Sequence, residues 1–227
     1  MVPKLELQLG HGIESQVMHK KPIMGLHYLP YRETGMSGAS HYPWWAFCME
    51  NLKNYLKYYS LEDYLFNEVS ANFRKKGFLT TKEFFAIVIW KSNRAKTRVL
   101  KGIKKNGKTI RQLTSEVNKE NDDKKKVGIL EAIQGIGIPI ASAILAVCYP
   151  KIFTIADYRT KESLTKKNKD FKGKPTTSIL SYLKYSKACH KIAEEEGLSL
   201  RDTDRALWGV DFYEGKNGLK ELVKNLA

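Results

Sequence analysis

An apolar run, a Gly-Ile-Gly turn and a second run of small apolar residues follow one another in LEAIQGIGIPIASAIL, residues 130–145. Two glycines one residue apart let a backbone reverse sharply and approach another molecule closely. Pro139 falls in the first turn of the helix expected next, where its missing N–H costs little. Unpaired N–H groups at such a helix start, at the positive end of the helix dipole, suit a phosphate. The segment predicts two closely packed helices joined by a phosphate-binding hairpin.

The chain on both sides of this hairpin has the patterns of helices. Gly77 is typical of a C-cap, and Thr80 with Glu83 fits a capping box that opens the next helix. From residue 41 onward, helices are predicted in ten segments, at about 43–56, 61–75, 80–90, 95–105, 109–120, 123–133, 158–167, 176–196, 200–212 and 217–226, besides the hairpin's second helix at 139–147. Residues 1–40 alternate in polarity or carry Pro and Gly, which predicts short strands and loops. We therefore expect a mostly α fold in which residues 41–227 form the helical domain behind a small β appendage.

The overall charge is the unusual feature of the composition. The 227 residues carry 39 Lys and Arg against 24 Asp and Glu, a net charge of +15. Such an excess is typical of a nucleic-acid binder, although a ribosome-associated protein or one bound to an anionic membrane surface would share it. No apolar run is long enough to span a membrane. Three cysteines without a C-x-x-C pair, and histidines without a ligand spacing, predict no metal site, and Cys148 is expected to be a buried, inert thiol.

A lone Gly-x-Gly is weak evidence, since it matches neither the dinucleotide-binding fingerprint nor the P-loop. The next segment adds specificity, because FTIADYR, residues 153–159, places Asp157 twenty residues after Gly137 at the start of another helix. A hairpin followed by an aspartate at this offset resembles the helix-hairpin-helix DNA glycosylase superfamily of endonuclease III and the bacterial alkyladenine glycosylases. The resemblance covers about residues 127–165, with the hairpin element at about 127–147, and implies a two-lobed helical fold.

The resemblance also implies roles for individual residues. Asp157 would be the catalytic carboxylate, although Asp at this position is also a good helix N-cap and both roles can hold. The hairpin residues Gly135, Ile136, Gly137 and Ile138 would hold a DNA phosphate. No cofactor is expected to be required, although the hairpin carbonyls of this family often coordinate a monovalent cation.

Pro139 departs from the family pattern. Members that also cleave the strand carry a Schiff-base lysine at this position, and proline has no amine. The resemblance therefore implies base excision by water, with an intact abasic strand as the product. A lysine elsewhere is left open as a substitute, with Lys91, Lys161, Lys166 and Lys167 as the candidates.

Two further sets of residues follow from the order of elements along the chain. The Trp90–Arg94 segment matches the family's turn over the minor groove, so Lys91, Asn93 and Arg94 are candidate DNA contacts, as is Arg159; a solvated helix junction is the alternative. A flipped base needs an aromatic pocket. The candidates for its walls are Tyr42, Trp44, Trp45, Trp90 and Tyr158. The alternative interpretation is that such aromatic residues belong to the core.

The sequence thus predicts a DNA glycosylase-like enzyme that flips and hydrolytically excises a damaged or modified base. Its expected partner is double-stranded DNA, and we expect a cytoplasmic, nucleoid-associated monomer that acts in DNA repair or against modified foreign DNA. The alternatives are a non-catalytic helix-hairpin-helix DNA-binding protein, and a lyase or nuclease that uses another lysine. The aspartate at a fixed offset favours the enzyme, since a simple binding module would not need it.

Overall fold

The computed structural model describes residues 58–167, 171 and 174–225, which belong to the unit Cys48–Ala227. The strand and loop segment predicted for residues 1–40 lies outside the described residues. So do the helix predicted at 43–56 and three candidates for the base pocket, Tyr42, Trp44 and Trp45.

The described part of the chain is mostly helical and contains no β-strand. Helix α1 combines an α-helical turn at Leu61–Asp63, a π-helical stretch at Tyr64–Val69 and an α-helical end at Ser70–Lys76. A 3₁₀ turn at Asn93–Ala95 separates the second helix from the third. The remaining helices are α2 (Thr81–Ser92), α3 (Lys96–Asn106), α4 (Ile110–Lys119), α5 (Asp123–Glu131), α6 (Ile138–Cys148), α7 (Tyr158–Lys167), α8 (Ile179–Glu196), α9 (Leu200–Glu214) and α10 (Leu219–Lys224).

Local signals set the ends of these helices. Thr80 and Glu83 form the capping box that opens α2, and Gly77 ends α1 in the left-handed conformation at φ +73°. Ser199 caps α9 by accepting the backbone N–H of Asp202. Each cap satisfies backbone groups that a helix leaves unpaired at its ends. Predicted and observed boundaries therefore agree to within a few residues.

Helix α6 forms the centre of the core. Apart from Pro139, all of its residues are buried, as expected for a helix that is apolar on every side. It packs against α2 on one side and α5 on another. Its last residue, Cys148, is buried as predicted, and desolvation raises the pKa of the thiol well above its usual value. No helix of the described residues has the length and apolar character that crossing a membrane requires.

The hairpin between α5 and α6 is held against α3 by backbone contact. Gly135 has φ +93°, and a Cβ there would lie 2.8 Å from the carbonyl carbon of Arg98. From the other side, a Cβ on Gly102 would lie 1.8 Å from the carbonyl oxygen of Gln134. Gly137 differs, because its φ is −97° and a Cβ would meet only Pro139, at 3.8 Å. The close approach expected of the hairpin is thus, at Gly135, an approach to a helix of the same chain.

Candidate active site

A cavity of about 340 Å³ lies where α1, α2, α9 and the start of α7 meet. Its walls contain three carboxylates, three cationic groups and two tryptophans. The lining residues are Glu62, Trp90, Lys91, Ile155, Asp157, Thr160, Arg201, Asp204, Arg205 and Trp208. Asp157, the carboxylate singled out by the hairpin offset, is therefore part of a concave site. A cavity of this size falls in the usual range for ligand pockets, roughly 300–1,000 Å³.

Both carboxylate oxygens of Asp157 accept hydrogen bonds. Oδ1 accepts the backbone N–H of Arg159 at 3.0 Å, in the manner of a helix cap. Oδ2 accepts the Nζ of Lys91 at 2.6 Å, and the side chains of Asp157 and Lys91 are 25% and 11% exposed. Asp157 thus caps α7 and also lines the cavity, and the start of α7 fixes its position.

The segment before Asp157 is anchored by buried side chains from three helices. Asp204 of α9 accepts the hydroxyl of Thr154 and the backbone N–H of Ile155, the latter at 3.1 Å. Ser142 of α6 accepts the backbone N–H of Ala156 at 3.0 Å and donates to the carbonyl of Pro139. On α8, the Tyr182 hydroxyl donates to the Thr154 carbonyl at 2.8 Å, and that of Tyr185 donates to the Ile155 carbonyl at 3.2 Å. These bonds place Asp157 on a rigid segment and link it directly to the hairpin helix.

Asp204 is almost completely buried, and this changes its acidity. Desolvation raises its pKa from 3.8 to about 6, against the hydrogen bonds from Thr154 and Ile155 and the charge of Arg201, which lower it. Because both of its oxygens accept bonds from the segment before Asp157, its position in the cavity wall is structural. It does not offer a free carboxylate to a ligand.

A cluster of charges from α1 and α9 forms another part of the wall. Glu62 Oε1 accepts Nη2 of Arg201 at 2.8 Å and Nε of Arg205 at 2.7 Å. Burial opposes ionisation of Glu62, but the two arginines lower its pKa below the usual value. The Arg201 guanidinium also lies 5.5 Å from the ring centroid of Trp90, within the range of a cation–π contact. The orientation of Trp90 is thereby fixed from one side.

The structure separates the residues that were predicted to contact DNA. Lys91 was expected on a phosphate, but its ammonium group lies in the cavity on Asp157, because the end of α2 directs it inward. Asn93 and Arg94, in the 3₁₀ turn that follows, are exposed. The guanidinium of Arg159 lies 5.4 Å from the ring centroid of Trp208 at the cavity wall. Tyr158 is 69% exposed and does not line this cavity.

At the hairpin, the backbone groups rather than the side chains are accessible. Ile136 and Ile138 are both buried in the core, so a phosphate contact from either would use its backbone. Gly137 is exposed, and no acceptor among the described residues takes its N–H or that of Ile138. Helix α6 also begins without a side-chain cap. This start of α6 therefore keeps the unpaired donors that suit an anion.

Comparison with family models, with curated proteins and with solved structures finds no match. In the part of the chain that the structure describes, no group of three or more His, Cys, Asp or Glu side chains is arranged to hold a metal ion.

Sequence reasoning identified three residues of the cavity wall, Trp90, Lys91 and Asp157, and missed most of the others. Those missed include Glu62 and the four residues that α9 contributes, which are Arg201, Asp204, Arg205 and Trp208. The α9 residues recur at intervals of three, four and seven, which marks one face of a helix. A helix face that combines two arginines, an aspartate and a tryptophan differs from the apolar stripe of an ordinary core contact, and this was the signal available in the sequence.

Proposed function

We propose that this protein is a DNA glycosylase-like enzyme that excises a damaged or modified base by hydrolysing its N-glycosidic bond. The observation that carries the proposal is the position of Asp157. Its carboxylate lines a cavity, and the segment that holds it is hydrogen-bonded to α6, the helix that begins at the Gly-Ile-Gly hairpin.

The chemistry of the site supports this reaction. Cleavage of an N-glycosidic bond passes through a sugar with cation-like character, as glycoside hydrolysis does. A carboxylate fixed in advance stabilises that charge without having to reorganise during the reaction. Asp157 meets this requirement, because its segment is bonded to Ser142, Asp204 and Tyr182. The same carboxylate can orient the attacking water.

The walls of the cavity support binding of a flipped base. Trp90 and Trp208 supply aromatic surface, on which any base can stack. The neighbouring Glu62, Arg201 and Arg205 supply donors and an acceptor for the polar edge of a base. A site with these groups favours a planar, polar ring over a purely apolar ligand.

The surface near the hairpin supports DNA as the partner. Helix α3, which contacts the hairpin through Gly102 and the Arg98 backbone, carries an exposed row of basic side chains. These are Lys96, Arg98, Lys101, Lys104 and Lys105. Together with the unpaired N–H groups at the start of α6, they provide the contacts that a DNA backbone requires.

The proposal is tested with a panel of duplexes, each carrying one deaminated, oxidised, alkylated or methylated base. Abasic sites are detected after heating in alkali. We expect release from at least one duplex, and a loss on the order of 100-fold or more in Asp157→Asn, because the charge that stabilises the cationic sugar is removed. Asp123→Asn, at an exposed carboxylate in the first turn of α5, is the matched control and should release base at the wild-type rate.

Two results would contradict the proposal. Retained release by Asp157→Asn would reduce this residue to a helix cap. Binding to every duplex without release from any would instead support the non-catalytic DNA-binding protein.

A further inference from the structure

A groove of about 510 Å³ lies beside the cavity, between α7, the end of α9 and α10. Two aromatic rings and four charged groups are part of its walls. These are Tyr158, Arg159, Glu162, Asp211, Phe212 and Lys216. Like the cavity, the groove falls in the usual size range of ligand sites, roughly 300–1,000 Å³.

Two contacts join this groove to the cavity. The Phe212 ring of the groove is stacked on the Trp208 ring of the cavity wall, with 5.4 Å between the ring centroids and 8° between the ring planes. The guanidinium of Arg159 lies 5.4 Å from the Trp208 centroid and 5.7 Å from that of Tyr158. The groove therefore adjoins the cavity through Trp208.

The rings of the groove have surface free for another ring. Phe212 is 49% exposed, although Phe is among the residues that proteins bury most often, and Tyr158 is 69% exposed. Aromatic rings attract one another in offset, parallel arrangements such as that of Trp208 and Phe212. The exposed stack thus offers a flat face to a third planar ring.

The charges of the groove are balanced. The cations Arg159 and Lys216 stand against the carboxylates Glu162 and Asp211. A bare phosphate or a carboxylate would be repelled by the acidic half of this lining. A nucleobase is neutral, flat and edged with donors and acceptors, so that it matches both the rings and the polar groups.

We propose that this groove binds the nucleobase next to the target base, so that the protein holds two neighbouring bases out of the stack. The inference rests on the proposed function, because it takes the cavity as the place of the target base. Consecutive nucleotides of a stacked strand are about 3.4 Å apart along the axis, so the neighbour of a base in the cavity lies within reach of Trp208 and Phe212. Stacking on an aromatic side chain is tolerant of sequence, and the groove accepts any base.

The groove also reduces the cost of opening the DNA. Taking a base out of a duplex costs unstacking and unpairing energy. Stacking of the neighbour on Phe212 offsets part of this cost. The protein should therefore bind unpaired nucleotides well even where no base is damaged.

The first experiment uses the full chain and a fluorescein-labelled oligothymidylate, an undamaged single strand that requires no excision. Anisotropy titrations measure its affinity for wild type, Phe212→Ala and Tyr213→Ala. Phe212→Ala removes the ring from the groove and should weaken binding roughly 5- to 150-fold, the effect of losing one stack between a base and an aromatic ring. Tyr213→Ala is the matched control, since Tyr213 follows Phe212 on α9 and is 52% exposed but does not line the groove, and it should bind like wild type. Both variants should keep the wild-type unfolding temperature.

A second experiment locates the neighbouring base. Two duplexes carry a stable tetrahydrofuran analogue of an abasic site, with 5-iododeoxyuridine on its 5′ side in one and on its 3′ side in the other. Irradiation joins the iodinated base to an aromatic side chain in contact with it. We expect a crosslink from one of the two duplexes, placed by mass spectrometry on Phe212 or Tyr158.

The outcomes separate this inference from the proposed function. No binding of the oligothymidylate, equal affinity of Phe212→Ala and wild type, equal losses in both variants, or crosslinks at other residues only would overturn the inference. A dimer in solution that Phe212→Ala separates into monomers would also overturn it, because a second copy of the chain would then cover the groove. In each of these cases, base release in the duplex panel would leave the glycosylase intact. Conversely, a loss of binding confined to Phe212→Ala, without release from any duplex, would support the groove as a nucleobase site and contradict the glycosylase.

Discussion

At the scale of single residues, the acidity of a buried group can be measured directly. The folded protein holds the pKa of Asp204 at about 6, against 3.8 for an unperturbed aspartate, because the carboxyl is desolvated. A raised pKa means that the folded state binds the proton more tightly than the unfolded chain. The contribution of Asp204 to the free energy of unfolding is fully present below pH 3.8 and is lost as the pH rises through about 6.

Asp204→Asn should therefore change how stability depends on pH. The difference in unfolding free energy, wild type minus variant, should fall by roughly 2–2.5 kcal/mol between pH 4 and pH 7, because most of a shift of about two pKa units falls in this range. Urea denaturation at half-unit pH steps measures it, with Asp123→Asn as the exposed control. A difference that stays constant over this range would show that Asp204 titrates as in the unfolded chain.

At the scale of elements, the two hairpin glycines have different tasks. Gly135 has a positive φ, which alanine adopts only with strain, and its Cα faces the α3 backbone at Arg98. A methyl group on Gly135 would therefore also clash with that backbone. Gly137 has an ordinary φ, and a Cβ there would make only an ordinary contact with Pro139, beside the unpaired N–H groups at the start of α6. Gly135 thus allows the hairpin to pack against α3, whereas Gly137 leaves the N–H groups at the start of α6 accessible to a ligand.

Alanine substitutions should separate these tasks. Gly135→Ala should lower the unfolding free energy by about 1–3 kcal/mol or more through backbone strain and the clash with α3. Gly137→Ala should change stability by less than about 0.5 kcal/mol but weaken binding to duplex DNA, because its methyl group lies where a phosphate would approach. Denaturation measures the change in stability, and fluorescence anisotropy measures the change in DNA affinity. Gly209→Ala serves as the control, because a Cβ added at Gly209 would meet open space. Equal DNA affinity for Gly137→Ala and wild type would remove the hairpin as the phosphate site.

At the scale of the whole molecule, the charge of +15 predicts how binding responds to salt. If the exposed basic residues of α3 and its neighbours neutralise about 5–8 phosphates, log K for undamaged duplex should fall with log salt at a slope of roughly −4 to −7. Lys101→Ala and Lys104→Ala on α3 should each reduce the slope by about 1. Titrations between low and physiological salt measure it, and a slope near zero would exclude nucleic acid as the partner.

Within the described residues, the sequence by itself determined the helices, their ends and the location of the hairpin. Thr80 with Glu83, Gly77 and Ser199 act within a few residues of the positions they cap, so the sequence contains both partners of each interaction. The same holds for Gly135, whose left-handed turn is set by its own missing side chain. Asp157 was singled out by the resemblance to helix-hairpin-helix glycosylases, in which an aspartate follows the hairpin at a fixed number of residues.

Tertiary structure alone decided which side chains share the cavity and what they touch. Glu62 and Arg201 are bonded across 139 positions, and Lys91 reaches Asp157 across 66, distances over which no local pattern specifies a contact. The sequence therefore offered Lys91 as a phosphate contact or as a substitute amine, and it left the cavity face of α9 unassigned. Helix α6 packs against α2 and is bonded through Ser142 to the segment before α7, and α7 packs against α9. Burial of apolar surface brings these elements together, because it acts between segments regardless of their separation in the chain.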